Sequence, residues 1–261
     1  MYKKIQEAAL DKIMGELNDI FESEKDDRKA VDTAIEVLEK MLEKEEKPTY
    51  GTPWDFGKGI KDNIFAQSDD LVLKPITEEF YDSYFRTREA YFNLNAFNEV
   101  GTTAEEFFGN ELVDEKRFCV AVIRKTDSEY VGYVGINDTT KNLWEICAEF
   151  LPQYCNQGYG YSAMRLFIKR VSQITGDTTQ QFQALVEVDN IASQNLMRKL
   201  NGRLIDIYDC VFHDENRATE YEERHLDEIT PRMIQLADEL MTEPRKLLSH
   251  VLDYRIFAEK I

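Results

Sequence analysis

The chain is predicted to fold as an α+β protein, and two observations carry that expectation. Residues 149–164 read Glu-Phe-Leu-Pro-Gln-Tyr-Cys-Asn-Gln-Gly-Tyr-Gly-Tyr-Ser-Ala-Met, an apolar strand that passes through a proline turn into a Gly-x-Gly opening a helix. Behind the glycines, Met164, Phe167, Ile168 and Val171 repeat at a helical period. Long amphipathic stripes elsewhere supply the remaining helices: Ile5, Ala9, Ile13, Leu17, Ile20 and Phe21 in one, Val31, Ala34, Ile35, Leu38, Met41 and Leu42 in another.

The Gly-x-Gly is the part of the chain that points to chemistry. Without a Cβ at 158 and 160 the backbone can bend sharply and a ligand can reach its N–H groups. The first N–H groups of a helix lack internal partners and carry the positive end of its dipole, so the natural guest is a phosphate or pyrophosphate. The expected helix begins just behind the glycines.

Composition narrows the setting. At 261 residues and 43% hydrophobic content, the chain can bury one full core and still carry appendages. Lys and Arg total 32 against 50 Asp and Glu, a net charge of −18. A phosphate polymer would be repelled, so neither nucleic acid nor an anionic membrane is expected as a partner. A cationic amine or basic peptide suits that charge, as does a merely solubilising surface. The four cysteines, Cys119, Cys147, Cys155 and Cys210, form no C-x-x-C pair, and buried free thiols in a reducing cytoplasm are the simplest account. No h-region or 18-residue apolar run is present, so neither export nor membrane insertion is expected. His213, His225 and His250 make no close cluster with cysteine, and no metal site is expected.

Four segments follow. Residues 1–46 are expected to form a helical hairpin, with Asp26-Asp27 as the cap of its second helix; its two stripes need a surface beyond each other, so docking on the main domain, on another subunit or on a protein partner is expected there. Residues 47–69, with Pro48, Gly51, Pro53, Gly57 and Gly59, read as a linker that Trp54 and Phe56 anchor. Residues 70–226 form the main domain. Residues 227–261 form a helical extension, with Thr230-Pro231 as a cap and first turn and 242–259 as one more helix.

Cys155-Asn156-Gln157-Gly158-Tyr159-Gly160 resembles the phosphate loop Gln/Arg-x-x-Gly-x-Gly/Ala of the GNAT superfamily of acyl-CoA N-acyltransferases, departing at its first position. The resemblance runs on through both flanks. Leu71-Val72-Leu73-Lys74-Pro75-Ile76-Thr77-Glu78-Glu79 looks like the opening strand and first helix cap, 118–123 and 130–136 like a meander turning at Thr126-Asp127-Ser128, and 144–151 like the fourth strand. Residues 182–188 look like the fifth strand, Asn190-Ile191-Ala192-Ser193 like the next helix start, and Leu200-Asn201-Gly202 like a Leu-Gly element. The opening strand and the Asn-x-x-Ser spacing look most like the branch that acetylates ribosomal-protein N-termini, with its polyamine and antibiotic-modifying relatives.

This resemblance implies a mixed, mostly antiparallel sheet flanked by helices. It also implies acetyl-CoA as cosubstrate and direct transfer to a primary amine: a peptide N-terminus, a polyamine or an amine-bearing small molecule. The expected cosubstrate-binding residues are Phe150, Leu151, Asn156, Gln157, Gly158, Tyr159, Gly160, Tyr161, Ser162, Asn190 and Ser193, with Tyr154 beside them.

Amide formation from a thioester needs a neutral amine, an oxyanion site and a protonated leaving thiolate. On the fourth strand, alternation puts Ile146, Ala148 and Phe150 on one face and Glu145, Cys147 and Glu149 on the other. Glu145 lies at about the distance before the loop at which some GNAT enzymes carry their base and is the first choice. Glu149 and then Glu187, on the expected fifth strand, follow. Where many members carry a proton-donating tyrosine this chain has Met197, leaving Ser193 or solvent for that role. The alternative function is a CoA-binding or scaffolding GNAT domain without catalysis, which the missing Tyr and Gln/Arg favour and the Glu-bearing strand opposes.

Overall fold

The apolar runs between residues 66 and 257 become the eight strands of one sheet. The computed structural model describes residues 55–91, 104–208, 212 and 214–261, the side chains of 105 and 106 excepted. The chain divides into two units, Met1–Thr49 and Tyr50–Ile261, and every described residue belongs to the second. The expected hairpin of residues 1–46, and Trp54, Cys210 and His213, lie outside the described residues.

The strands are β1 (Ala66–Gln67), β2 (Leu71–Pro75), β3 (Phe118–Arg124), β4 (Glu129–Ile136), β5 (Trp144–Phe150), β6 (Gln181–Val186), β7 (Arg203–Tyr208) and β8 (Val251–Phe257). Their order across the sheet is β1-β2-β3-β4-β5-β6-β8-β7. All neighbours run antiparallel except β5 and β6. Six α-helices accompany them among the described residues: α1 (Tyr81–Glu89), α2 (Ala104–Val113), α3 (Tyr159–Thr175), α4 (Ile191–Lys199), α5 (Glu215–Arg224) and α6 (Pro231–Leu240). The sheet is thus mixed and mostly antiparallel, flanked by helices, as the sequence predicts.

Each face of the sheet has its own cover. Ala163, Met164, Phe167, Ile168 and Val171 recur at the helical period along α3 and are buried with Val120, Val122, Val134, Ile136, Ile146 and Phe150 in the main core. Gly176, at φ +72°, closes α3 in the left-handed conformation. On the opposite face Tyr133 of β4 packs with Tyr84 of α1 and Phe108 of α2 in a smaller aromatic cluster.

Four elements differ from expectation. The stretch read as linker is structured from Asp55 onward: Phe56 is buried with its ring 4.9 Å from that of Phe118 and 5.5 Å from that of Trp144, and Ala66–Gln67 adds the edge strand β1. Helix α3 begins at Tyr159, between the two glycines, so Gly160 lies in its first turn. The fifth family strand ends at Val186, which leaves Glu187 exposed beyond it.

The largest difference is at the C-terminus. Residues 242–259 form a short 3-10 turn (Pro244–Leu248) and then β8, inserted between β6 and β7. The expected boundary at 226/227 therefore separates no second body, because residues on its far side complete the sheet. Leu252, Tyr254 and Ile256 of β8 alternate with Asp253 and Arg255 at the strand period, but Leu248, Leu252 and Ile256 also recur every fourth residue, which mimics a helical face. The expected cap at Thr230-Pro231 does open α6, with the Thr230 hydroxyl accepting from the Met233 N–H at 3.2 Å.

Candidate active site

Strands β5 and β6 pair only at Trp144 with Phe182 and at Glu145 with Gln183. Beyond Glu145, β5 continues to Phe150 beside β4 while β6 stays with β8, so the two strands part. The Asn137 N–H donates to Glu145 O at 2.9 Å and the Leu151 N–H to Val131 O at 3.0 Å, so the odd-numbered residues of β5 spend their backbone groups on β4. Alternation then turns the backbone groups of Ile146, Ala148 and Phe150 to the gap. Tyr91, just past α1, reaches in from the side and donates to Phe150 O at 2.6 Å. Sequence periodicity held no signal for Tyr91, because its place depends on how α1 crosses β5.

At the mouth of the gap sits the loop. Asn156 (φ +60°) and Gly158 (φ +88°) both take left-handed backbone, and Gly158 is the N-cap of α3. A Cβ on Gly158 would meet nothing within 4 Å, whereas one on Gly160 would touch the Phe150 ring at 3.5 Å and Leu196 at 3.6 Å. Asn156, Gln157, Gly158 and Ser162 are exposed, and Tyr159, Gly160 and Tyr161 partly buried. The open N–H groups of the first helical turn therefore stand next to Phe150, which ties loop and gap into one site. Cys155 turns toward the end of β5, its thiol 3.3 Å from the Tyr91 hydroxyl and 3.7 Å from the carbonyl oxygens of Phe150 and Leu151. Across the gap Asn190 caps α4, its side-chain oxygen accepting from the Ser193 N–H at 3.0 Å, and Met197 is buried in the core.

The three candidate bases have different surroundings. Glu145 is partly buried at the point where the strands part, and Asn137 Nδ2 donates to its Oε1 at 2.8 Å. Glu149 is gripped by Arg88, whose Nη1 pairs with Glu149 Oε1 and also donates to the Tyr133 hydroxyl at 3.1 Å. The same Arg88 holds Glu111 of α2 at 2.8 Å, and Glu111 holds Arg117 at 2.8 Å. Burial raises the Glu149 carboxyl above its ordinary range while the Arg88 charge pulls the other way. Exposed Glu187 has no such enclosure, and only its carbonyl oxygen is engaged, by Asn190 N–H and Gln194. The face that carries Glu145 and Glu149 continues across the sheet through Gln183 to Asp253, whose carboxyl is raised by burial, opposed by Arg255 and Gln183, and raised further by Asp206 and Glu145. Asp253 could not be foreseen from a stretch read as helix.

Thiols flank the same region. Cys119 and Cys147 lie 4.0 Å apart, and Arg117 Nε is 3.3 Å from the Cys119 sulfur. Cys147 beside it lowers the Cys119 thiol to about 7, and Arg117 adds to the effect. The described histidines are occupied elsewhere, His225 with Tyr221 and His250 with Ser249. No group of His, Cys, Asp and Glu among the described residues is placed to hold a metal ion.

The family model for the acetyltransferase (GNAT) domain matches residues 70–203, just over half of the chain. The chain belongs to the GNAT acetyltransferase domain family. No curated protein matches it. Among solved structures, a GNAT-family acetyltransferase from Bacillus anthracis is 14% identical over 74% of this chain and 98% of its own, with a TM-score of 0.48. A proposed ribosomal-protein-serine acetyltransferase from Vibrio cholerae is 15% identical over 74% and 96%, at 0.47. The spermidine/spermine N-acetyltransferase SpeG from Vibrio cholerae is 11% identical over 73% and 94%, also at 0.47. GNAT acetyltransferases generally use acetyl-CoA, and in this GNAT domain the loop, the strand gap and Glu145 fall within or beside one another in the matched segment. No helix among the described residues is long and apolar enough to cross a membrane.

Arg88 joins α1, α2 and β5 with almost no exposure of its own, so it should matter to stability more than to chemistry. Arg88→Met leaves two partly buried carboxylates short of a partner and is expected to destabilise the protein by about 3–5 kcal/mol. Urea unfolding of the variant measures this directly, and a loss under about 1 kcal/mol would show the network to be dispensable.

Proposed function

We propose that the protein is an acetyl-CoA-dependent N-acetyltransferase that transfers acetyl directly to a primary amine, with Glu145 as general base. The observation that carries this reading is the parting of β5 from β6 at Glu145, with the left-handed Gly158 and the first turn of α3 at the mouth of the gap. Those residues fit the cosubstrate. Open N–H donors from Gly158 to Tyr161, beside Asn156 and Gln157, suit its diphosphate, and the gap-facing backbone groups of Ala148 and the N–H of Phe150 suit the amides of its pantetheine arm. Acetyl-CoA supplies the activated thioester.

Glu145 then stands at the closed end of the gap, where it accepts the proton of an incoming ammonium. An alkyl amine has a pKa near 10, so at neutral pH this proton must be taken before attack. Glu149 serves to fix β5 against α1 and α2, because its carboxylate is already bound by Arg88. Exposed Glu187 is a weaker candidate, lying past the strand. Ser193 or solvent returns a proton to the departing thiolate, and Met197 packs in the core.

A cationic acceptor fits the site. Glu145, Asp253 and Asp206 share one face of the sheet beyond the gap, in a chain of net charge −18. A peptide N-terminus, a polyamine or a small amine meets that chemistry, and the ribosomal-protein branch is one member of that set. A cytoplasmic setting belongs to this reading, supported by the free cysteines. The test is release of CoA thiol from acetyl-CoA across a panel of amines, run beside CoA titration. CoA binding without thiol release on any amine would favour the scaffolding alternative.

Residues 1–46 are proposed to mediate self-association or to bind a protein partner, on the strength of their two apolar stripes. Deleting them is expected to change the mass per particle in light scattering or lower the melting temperature, since each Å² of apolar area returned to water costs about 25 cal/mol. An unchanged assembly state and melting point would remove that proposal.

A further inference from the structure

The phosphate loop is short of side-chain donors. Cys155 stands where the family pattern carries Gln or Arg, and its thiol faces the end of β5. Gln157 donates to Gln153 O at 2.6 Å, within the loop itself. A polyanion such as CoA approaching a chain of net charge −18 gains from a fixed cation at this point.

One cation is held there from outside the loop. Arg124, the last residue of β3, has its guanidinium carbon 5.0 Å from the centre of the Tyr154 ring and 5.9 Å from that of Tyr159. Its Nη1 donates to the Tyr159 hydroxyl at 3.2 Å. Its Nε and Nη2 donate to the two carboxylate oxygens of Asp127 at 3.0 and 2.5 Å. Tyr154 precedes the loop and Tyr159 is the first residue of α3, so these contacts fix the guanidinium at the loop's edge. The fork on Asp127 sets the plane of the group, and two of its five N–H bonds stay unassigned to these partners. The side chain is 22% exposed, which leaves it reachable from solvent.

We propose that Arg124 binds a phosphate of the CoA cosubstrate, supplying from the end of β3 the side-chain donor that the loop lacks at Cys155. This rests on the acetyl-CoA reading of the same site. Planar, delocalised and permanently charged, a guanidinium suits phosphate oxygens better than the Gln it functionally replaces. Asp127 acts as the brace that aims it, and the two tyrosines act as the walls that limit its swing.

The test uses calorimetric titration of the full chain and of two neutral variants, Arg124→Gln and Arg124→Met, the latter keeping the stem packed on Tyr154. The ligands are CoA and 3′-dephospho-CoA. Both variants are expected to melt as folded proteins and to bind CoA about tenfold more weakly than the wild type, the loss of one charge-assisted hydrogen-bonded contact. A loss seen with CoA alone assigns Arg124 to the adenosine 3′-phosphate, and an equal loss with both ligands assigns it to the diphosphate. Wild-type affinity for CoA in either folded variant overturns the proposal. Failure of the wild type itself to bind CoA would instead overturn the acetyl-CoA reading on which it rests.

Discussion

Glu145→Gln is expected to lower kcat by roughly a hundredfold or more at pH 7 while leaving CoA affinity unchanged. The substitution keeps the size of the side chain and can keep the contact with Asn137 Nδ2 through its amide oxygen, so the strand junction at Trp144 and Glu145 should survive. What it removes is the group that takes a proton from the amine. Part of the rate should return as pH rises toward 10, because the acceptor then arrives already neutral. Rate profiles of both proteins from pH 7 to 10 test this, and wild-type turnover across that range would pass the role to Glu187 or to water.

Glu149→Gln provides the contrast. Here the carboxylate is bound to Arg88 rather than turned to an open site, and the larger effect should fall on unfolding. Two carboxylates on the same strand face thus differ in surroundings, and on the proposed reading one acts in the chemistry and the other in the framework. Alternation alone cannot make that distinction, since it assigns both to one side and is blind to Arg88, 61 residues away in sequence.

The legible parts of the fold were those with local signatures. The Gly-x-Gly, the period of Met164, Phe167, Ile168 and Val171, the Asn190 cap and the Thr230-Pro231 cap each depend on neighbours a few residues apart, and each is where the sequence predicts. The parting of β5 and β6 was not legible, because it is set by which strand β6 joins on its other side. That strand is β8, whose Leu252, Tyr254 and Ile256 alternate with Asp253 and Arg255 but also continue, from Leu248, a four-residue spacing that reads as helix. Tyr91, Arg88 and Arg124 entered the site from α1 and β3 for the same reason: contacts across the sheet leave no trace in spacing. Phe56 is buried as the anchor the sequence predicts, whereas the edge strand Ala66–Gln67 was not legible, since a Pro- and Gly-rich stretch reads as linker throughout.

Gly158→Val is expected to weaken CoA binding at least tenfold without unfolding the protein. At φ +88° the residue sits in left-handed backbone, where a side chain costs about 1–2 kcal/mol and a β-branched one more. The valine can avoid that cost only by rotating the peptide that starts α3, which redirects the N–H groups offered to the diphosphate. Collision is not the cause, because a Cβ at this position has nothing within 4 Å in the free protein. At Gly160 the balance is reversed: the backbone is helical, and the branches of a valine would press on Phe150 and Leu196, 3.5 and 3.6 Å from the Cβ. Gly160→Ala should therefore be tolerated, whereas Gly158→Ala should already show part of the loss. CoA titration of the two alanine variants and Gly158→Val, beside their melting curves, separates the two causes. Equal CoA affinity in folded Gly158→Val and wild type would remove the diphosphate from this loop, and with it the assignment of the gap as the pantetheine channel.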